Sequence, residues 1–233
     1  AVQGFRKGLS FKLVGIKKLK YVFKKYSDFP RYNLIPALMN TCSYFLPPVF
    51  INKFFSATYT GYFDLTKLVL TIPIAFVAAS FSNVLLQKIS EKYNSGGSIA
   101  GDLKQVLVIV MVICIMEIAV IYLSGEWLFR FVFGDEWIIS GKISGILVWS
   151  FAFSFIVSSF SSLFIAMRRI KTYSIWQFFY FLAIISLVLF KDPEFTQFLK
   201  IYVIIEVICY SVISVLLAYI VISYEKSVKK PAG

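Results

Sequence analysis

Histidine is absent from this 233-residue sequence, and cysteine occurs only three times, as Cys42, Cys114 and Cys209, without a CxxC spacing. A metal site, a redox pair and a histidine-activated nucleophile all depend on residue types or spacings that are missing here. The run Ser95-Gly96-Gly97-Ser98 has no phosphate-loop lysine pattern, which argues against an intrinsic ATPase. We therefore expect a protein that is not an enzyme, binds no cofactor or metal, and buries its three cysteines as small apolar residues.

Charge is also scarce, since 15% of the residues are charged where a soluble domain has roughly 25%. Hydrophobic residues make up 59% and aromatic residues 18% of the sequence, and the mean hydropathy is +0.79. The apolar stretches come in blocks of about 20 residues, the length of a membrane-spanning helix and twice that of a membrane strand. The sequence predicts an all-α integral membrane bundle.

Six apolar spans divide the sequence, and we predict a transmembrane helix in each. A six-helix lobe over residues 32–223 would follow a basic cytoplasmic segment, residues 1–31, and precede a basic tail, residues 224–233. Prolines in the first span predict a bent helix beside protein or a cavity, because a proline frees backbone carbonyls that need other donors. The spans are Tyr32 to Ile51, Gly61 to Leu86, Leu103 to Leu123, Ile143 to Met167, Ser174 to Phe190 and Leu199 to Ser223.

The net charge of +12 comes from Lys and Arg residues that flank these spans, so it indicates topology and headgroup contacts, with no nucleic-acid partner. Residues 1–31 mix nine of these cations with apolar residues, which indicates an amphipathic helix on anionic membrane lipids or, alternatively, a solvated loop. No signal peptide is recognisable, and we expect the sequence to be a piece of a longer protein.

The positive-inside rule orients the spans. Segments on one side carry 18 of the 24 Lys and Arg residues, whereas the loops on the opposite side carry five. Both termini should therefore be cytoplasmic. On the outer side, the aromatic segment Gly125 to Trp137, GEWLFRFVFGDEW, predicts a short amphipathic element in the headgroup layer.

Lys67 lies within the second span, three residues after Asp64, so both side chains share one helix face. A charge at membrane depth costs several kcal/mol unless it meets a cavity, a partner or the interface. One reading is a cation that lines an aqueous cavity and holds an anionic substrate, with Asp64 as its resting partner. The other is a side chain that snorkels to the outer interface.

Two carboxylates also lie within spans, Glu117 in the third and Glu206 in the sixth. Membrane-embedded carboxylates are candidates for proton or cation coupling, and the alternative is a hydrogen bond to a neighbouring helix. Asn40 could line a substrate path or cap a helix. The serine-rich fourth span favours close helix packing over chemistry.

Four stretches carry a family resemblance: YSDFPRYNLIPALMN, LPPVFINKFFSATYTGYFDLTKLVLTIPIAF, LLQKISEKYN and LFRFVFGDEWIISGKISGIL. The most specific pieces are Asp28-Phe29-Pro30, the helix start Gly61-Tyr62 with Lys67 and Pro73 after it, and Phe133-Gly134-Asp135-Glu136-Trp137. Over roughly residues 20–190 the sequence resembles the C-terminal half of Wzx-type O-antigen and polysaccharide flippases, members of the multidrug/oligosaccharidyl-lipid/polysaccharide superfamily.

The resemblance implies one six-helix lobe of a two-lobe transporter in the bacterial inner membrane, partnered by an N-terminal lobe that this sequence lacks. Such a flippase moves undecaprenyl-diphosphate-linked oligosaccharide between leaflets by alternating access, and Lys67 would contact the diphosphate. The alternative in the same fold is a cation-coupled multidrug exporter that uses Glu117 or Glu206. A membrane glycosyltransferase would need larger loops, and a passive scaffold would leave the buried charges unexplained.

Overall fold

The computed structural model describes Tyr21 and residues 34–228, and all the regular structure in that part of the chain is helical. Six long helices follow one another, joined by short turns. They are α1 (Ile35–Phe54), α2 (Ala57–Asn94), α3 (Ala100–Phe133), α4 (Ile138–Phe160), α5 (Ile170–Ile185) and α6 (Phe195–Val228). The predicted all-α bundle is confirmed.

Five helical segments are long and apolar enough to cross a membrane. They contain α2 to α6, with short helical turns extending α4 at both ends and α5 at its end. The first helix, α1, has 20 residues, or ~30 Å at ~1.5 Å per residue, but it is not one of the five. It contains three prolines, Asn40, Asn52 and Lys53.

Several helices run beyond the predicted spans, and α2, with 38 residues, is the longest. The predicted short element Gly125 to Trp137 is not a separate element for most of its length, because α3 continues to Phe133. Residues 126–133 contain neither glycine nor proline, and Gly134 then ends α3 with a φ of 100°, a backbone conformation that favours glycine. Only Asp135–Trp137 forms a separate element, one turn of 3₁₀ helix.

The terminal predictions fall largely outside the described residues. Apart from Tyr21, the basic segment 1–31 is not covered, and neither are residues 229–233 of the predicted tail. The first residues of that tail, up to Val228, continue α6. The expected burial of all three cysteines is wrong for Cys42, which is exposed on α1, whereas Cys114 is buried and Cys209 is half-buried.

Helix α4 is the central element of the bundle, and it packs against α2, α3 and α6. Small residues in α4 permit this close packing. A Cβ on Gly141 would lie 2.6 Å from the Glu126 Cα of α3, so the two backbones touch at this point. The predicted packing role of the serine-rich span is confirmed for the serines that are fully buried, Ser140, Ser144, Ser150 and Ser159.

Candidate functional site

A cavity of about 470 Å³ lies among five of the six helices, and α3 contributes no residue to it. Its walls combine charged, polar and aromatic side chains. Asn40 and Tyr44 of α1 and Ala75 of α2 are exposed while lining it, so the cavity opens between these two helices. It contains three of the five site residues expected from the sequence: Asn40, Lys67 and Glu206.

Lys67 projects into this cavity and is only 5% exposed. Its ammonium donates a hydrogen bond to the backbone carbonyl of Tyr44, with 2.6 Å between Nζ and O, and lies 3.2 Å from the centroid of the Tyr44 ring. Lys67 stands ten residues after Ala57, the start of α2. Its burial and its hydrogen bond to α1 show that the side chain is directed into the bundle rather than along α2 toward the helix end.

The carbonyl that accepts the hydrogen bond from Lys67 has no donor within its own helix. In α1 the carbonyl of Tyr44 would accept from the N–H of residue 48, but residue 48 is a proline and has no N–H. An unpaired carbonyl inside a membrane protein needs another donor. Lys67 supplies it from α2, so the contact satisfies a buried charge and a freed carbonyl together.

The structure separates Asp64 from Lys67, although both lie on α2. Asp64 is exposed and does not line the cavity, and no ion pair joins the two side chains in the described part of the chain. Their charges still interact electrostatically. The resting partner of Lys67 is therefore the Tyr44 carbonyl, and the expected role of Asp64 as that partner is not what the structure displays.

Asn40 lines the cavity near its opening and is held from the opposite side. Its Oδ1 accepts a hydrogen bond from Nε2 of Gln177 on α5, at 3.2 Å, and Gln177 is 1% exposed. Among residues 34–228 the amide N–H groups of Asn40 make no hydrogen bond, so they can meet a polar ligand. The substrate-path reading of Asn40 is compatible with this position, and helix capping is not, because Asn40 lies within α1.

Glu206 of α6 occupies a more enclosed part of the same cavity and is 6% exposed. Its Oε1 accepts a hydrogen bond from the Tyr180 hydroxyl at 2.7 Å, and that hydroxyl lies 3.2 Å from the hydroxyl of Tyr210. A buried carboxyl needs such donors, because burial without hydrogen bonds costs several kcal/mol. The cavity thus contains one potential cation and one potential anion.

An aromatic wall forms the α5 and α6 side of the cavity. The Trp176 ring stacks on Tyr180 with centroids 5.4 Å apart and planes 13° apart, and Tyr173 and Tyr210 flank the pair. The indole N–H of Trp176 donates to the Cys209 carbonyl at 2.9 Å, which fixes the ring. Such a wall offers flat apolar faces next to hydroxyl groups.

One buried polar atom of the cavity lacks a hydrogen-bond partner among the described residues. The Thr71 hydroxyl, one helical turn after Lys67, is buried without a hydrogen-bond partner among the described residues. Ser154 and Ser158 of α4 also line the cavity. A ligand that carries hydroxyl or phosphate oxygens would meet donors from several helices here.

Glu117 lies apart from the other site residues, on α3 and outside the cavity lining. Its Oε2 is buried without a hydrogen-bond partner among the described residues. Three residues earlier, the Cys114 thiol contacts the Ala152 carbonyl of α4 at 3.5 Å, so this face of α3 packs on α4. Glu117 and Glu206, alike in the sequence, therefore occupy separate environments.

The sequence analysis missed the aromatic residues of the cavity and the acceptor of Lys67. Two signals could have found them. Tyr173, Trp176 and Tyr180 follow an i, i+3, i+7 spacing, which places three aromatic rings on one face of a helix. Pro48 implies an unpaired carbonyl four residues earlier, at Tyr44.

Residues 10–142 match the model of a protein family described as "Polysaccharide biosynthesis protein". The matched region contains Asn40, Asp64, Lys67 and Glu117, whereas Glu206 lies beyond it. Neither a curated protein nor a solved structure matches the chain significantly.

Proposed function

The chain belongs to the polysaccharide biosynthesis protein family, and on that premise we propose that it is one six-helix lobe of a flippase for undecaprenyl-diphosphate-linked oligosaccharide. It would act in the bacterial inner membrane, with both termini of this piece cytoplasmic, and serve O-antigen or related polysaccharide synthesis. A second lobe would face it, and the substrate would cross by alternating access. Anionic lipids of the membrane would contact its basic segments.

The buried ammonium of Lys67 is the observation that carries this proposal. A lipid-linked diphosphate must cross a layer that excludes charge, so it needs a cation at depth within a polar cavity. Lys67 fulfils this requirement because it lines a cavity that opens between α1 and α2. A phosphate oxygen is a stronger acceptor for an ammonium than a carbonyl oxygen.

The rest of the cavity suits the sugar part of such a substrate. Aromatic faces can pack against the apolar faces of sugar rings, and neighbouring hydroxyl and amide groups can bind sugar hydroxyls. The Trp176 and Tyr180 pair supplies the former, and Asn40, Thr71 and Ser154 supply the latter. The cavity therefore combines a charge for the phosphate with a mixed surface for the sugar.

Complementation of a strain that lacks its O-antigen flippase tests the proposal. We expect Lys67→Met to abolish surface polysaccharide and Lys67→Arg to retain part of it, because arginine keeps the charge. Lys142→Met is the matched control, since Lys142 is an exposed lysine of α4. Equal polysaccharide levels for wild type and Lys67→Met, with equal protein in the membrane, would remove Lys67 from the mechanism.

A cation-coupled multidrug exporter is the second candidate, and the position of Glu206 favours it. A carboxyl in the same cavity as Lys67 could bind a proton or a metal cation in exchange for a drug. This candidate makes Glu206 indispensable, whereas the flippase depends on Lys67. Their variants therefore separate the two functions.

A further inference from the structure

Two adjacent prolines in α1 each remove one backbone donor. Pro47 leaves the carbonyl of Ser43 without its intrahelical donor, and Pro48 does the same to Tyr44. Lys67 donates to the Tyr44 carbonyl at 2.6 Å, and among the described residues no hydrogen bond joins Lys67 to Ser43. Pro48, rather than Pro47, therefore determines the environment of the Lys67 ammonium.

The contact between the Lys67 ammonium and Tyr44, which we term the resting contact, also includes the ring. Lys67 Nζ lies 3.2 Å from the Tyr44 centroid and 5.9 Å from that of Phe63. A cation over an aromatic face gains further stabilisation when it is removed from water. The resting contact thus joins α1 to α2 beside the opening of the cavity.

No carboxylate takes the place of the carbonyl. Glu206 on α6 and Asp64 on α2 both interact electrostatically with Lys67, but no ion pair within 4 Å joins either to it among the described residues. The neutral Tyr44 carbonyl is a weaker acceptor than an oxyanion. An anion that enters the cavity can therefore replace it.

We propose that Pro48 and Tyr44 are positioning residues for Lys67, whose ammonium exchanges the Tyr44 carbonyl for a phosphate of the lipid-linked substrate. The inference rests on the proposed function and deepens it. Substrate binding then breaks the resting contact, so that the phosphate is bound at the cost of one link between α1 and α2. A contact that must break on binding lowers the apparent affinity for the ligand.

The direction of the change in affinity distinguishes a positioning role of Pro48 from a structural one. Pro48→Ala restores an N–H that bonds to the Tyr44 carbonyl within α1, which weakens the resting contact. We expect undecaprenyl diphosphate to bind this variant about three- to tenfold more tightly, the scale of one partly lost charged hydrogen bond. Translocation at saturating substrate should not increase, because only the resting state has changed.

Pro47→Ala is the matched control. It changes the adjacent proline of the same helix but leaves the Tyr44 carbonyl, the acceptor of Lys67, without an intrahelical donor. Binding of undecaprenyl diphosphate to the intact protein in detergent micelles is measured by calorimetry for the wild type and both variants. If Pro48 has a structural role, the affinity of Pro48→Ala for undecaprenyl diphosphate should equal that of the wild type or be lower. Weaker binding to Pro48→Ala, or equal changes in the two proline variants, would overturn the inference.

A second measurement needs no ligand. Reductive methylation followed by mass spectrometry reports how readily the Lys67 amine reacts, with the exposed Lys142 as internal reference. We expect Lys67 to react several-fold faster in Pro48→Ala than in Pro47→Ala, and equal rates would contradict the resting contact. If the wild type and Lys67→Met bind undecaprenyl diphosphate equally, the proposed function and the phosphate exchange both fail. If Lys67→Met binds less but the proline variants agree, only this inference fails.

Discussion

Lys67 of α2 and Glu206 of α6 line one cavity without forming an ion pair, because each is bound by another group. The Tyr44 carbonyl binds the ammonium at 2.6 Å, and the Tyr180 hydroxyl donates to the carboxyl at 2.7 Å. Opposite charges attract more strongly in a low-dielectric cavity than in water. Since neither side chain depends on the other for its hydrogen bond, their functions can be tested separately.

Glu206→Gln should distinguish the two candidate functions. The amide oxygen of glutamine can still accept the Tyr180 hydrogen bond, so we expect the fold to remain intact. In a flippase, polysaccharide translocation should persist, and undecaprenyl diphosphate should bind equally or more tightly because the cavity loses a negative charge.

Glu206→Leu is the control for the hydrogen bond itself. It leaves the buried Tyr180 hydroxyl without this acceptor, which should lower the free energy of unfolding by about 1–3 kcal/mol, measured as thermal stability in detergent. If the wild type fails to translocate polysaccharide but exports a drug, and folded Glu206→Gln loses that export, the flippase assignment is contradicted and the cation-coupled exporter is favoured. Loss of polysaccharide translocation in folded Glu206→Gln alone would assign ion coupling to Glu206.

Glu117→Leu should preserve translocation, because Glu117 does not line the cavity. The substitution also removes a buried carboxyl oxygen that has no hydrogen-bond partner among residues 34–228. We expect the free energy of unfolding to stay equal or rise by about 1–3 kcal/mol, the scale of one unsatisfied buried polar group. Glu117→Gln keeps a polar group at this position, so its free energy of unfolding should rise less than that of Glu117→Leu. A loss of translocation in both folded variants would instead assign ion coupling to Glu117.

Gly141→Ala should disrupt the contact between α3 and α4. The added Cβ would lie 2.6 Å from the Glu126 Cα and 2.9 Å from the Gly125 carbonyl oxygen, so two backbones must move apart. Overpacking of this kind costs about 1–3 kcal/mol or more, which a thermal unfolding measurement detects. Gly145→Ala, one turn further along α4, meets no atom within 4 Å and should leave the melting temperature unchanged. Equal melting temperatures for the two variants would refute the close approach.

Glu225→Ala should loosen the end of the bundle where α6 meets the start of α3, because this carboxylate of α6 caps the first turn of α3. Glu225 Oε1 accepts hydrogen bonds from the backbone N–H groups of Ile99 at 2.6 Å and Ala100 at 2.9 Å. Loss of a helix cap costs about 0.5–2 kcal/mol. Glu225→Gln keeps an oxygen acceptor, so its free energy of unfolding should fall less than that of Glu225→Ala.

Hydrogen exchange at Ile99 and Ala100 localises this effect of Glu225, since their amides should exchange faster in Glu225→Ala. Glu91→Ala changes an exposed glutamate of α2 and serves as the control. Unchanged exchange in Glu225→Ala would contradict the cap.

The six helices could be predicted because hydrocarbon leaves the backbone no other donors and acceptors, so apolar blocks of sufficient length must form helices. Their ends could not be predicted as well. Residues 87–94 are polar, yet α2 continues through them to Asn94 because Ser95 and Gly96, with a φ of 70°, provide its end. The aromatic stretch after Gly125 likewise continues α3 to Phe133 instead of forming a separate element.

The candidate site was predicted only in part, because a buried charge reveals that it needs a partner without revealing which one. Lys67 could have snorkelled to the interface or paired with Asp64, and the structure selects neither. Its acceptor, Tyr44, lies 23 residues away on another helix. Glu117 and Glu206 have the same local character in the sequence, and only helix packing assigns one to the cavity and the other to the α3 surface that faces α4.

The sequence alone determined that this chain is a helical membrane bundle with basic flanks and with charged side chains inside apolar spans that need partners, since composition and span length impose those requirements. Which side chains surround the cavity was decided by the tertiary structure, because five helices contribute to it and their rotation about their own axes depends on packing at positions such as Gly141. The carbonyl freed by Pro48 becomes the acceptor of Lys67 only because α1 and α2 pack side by side.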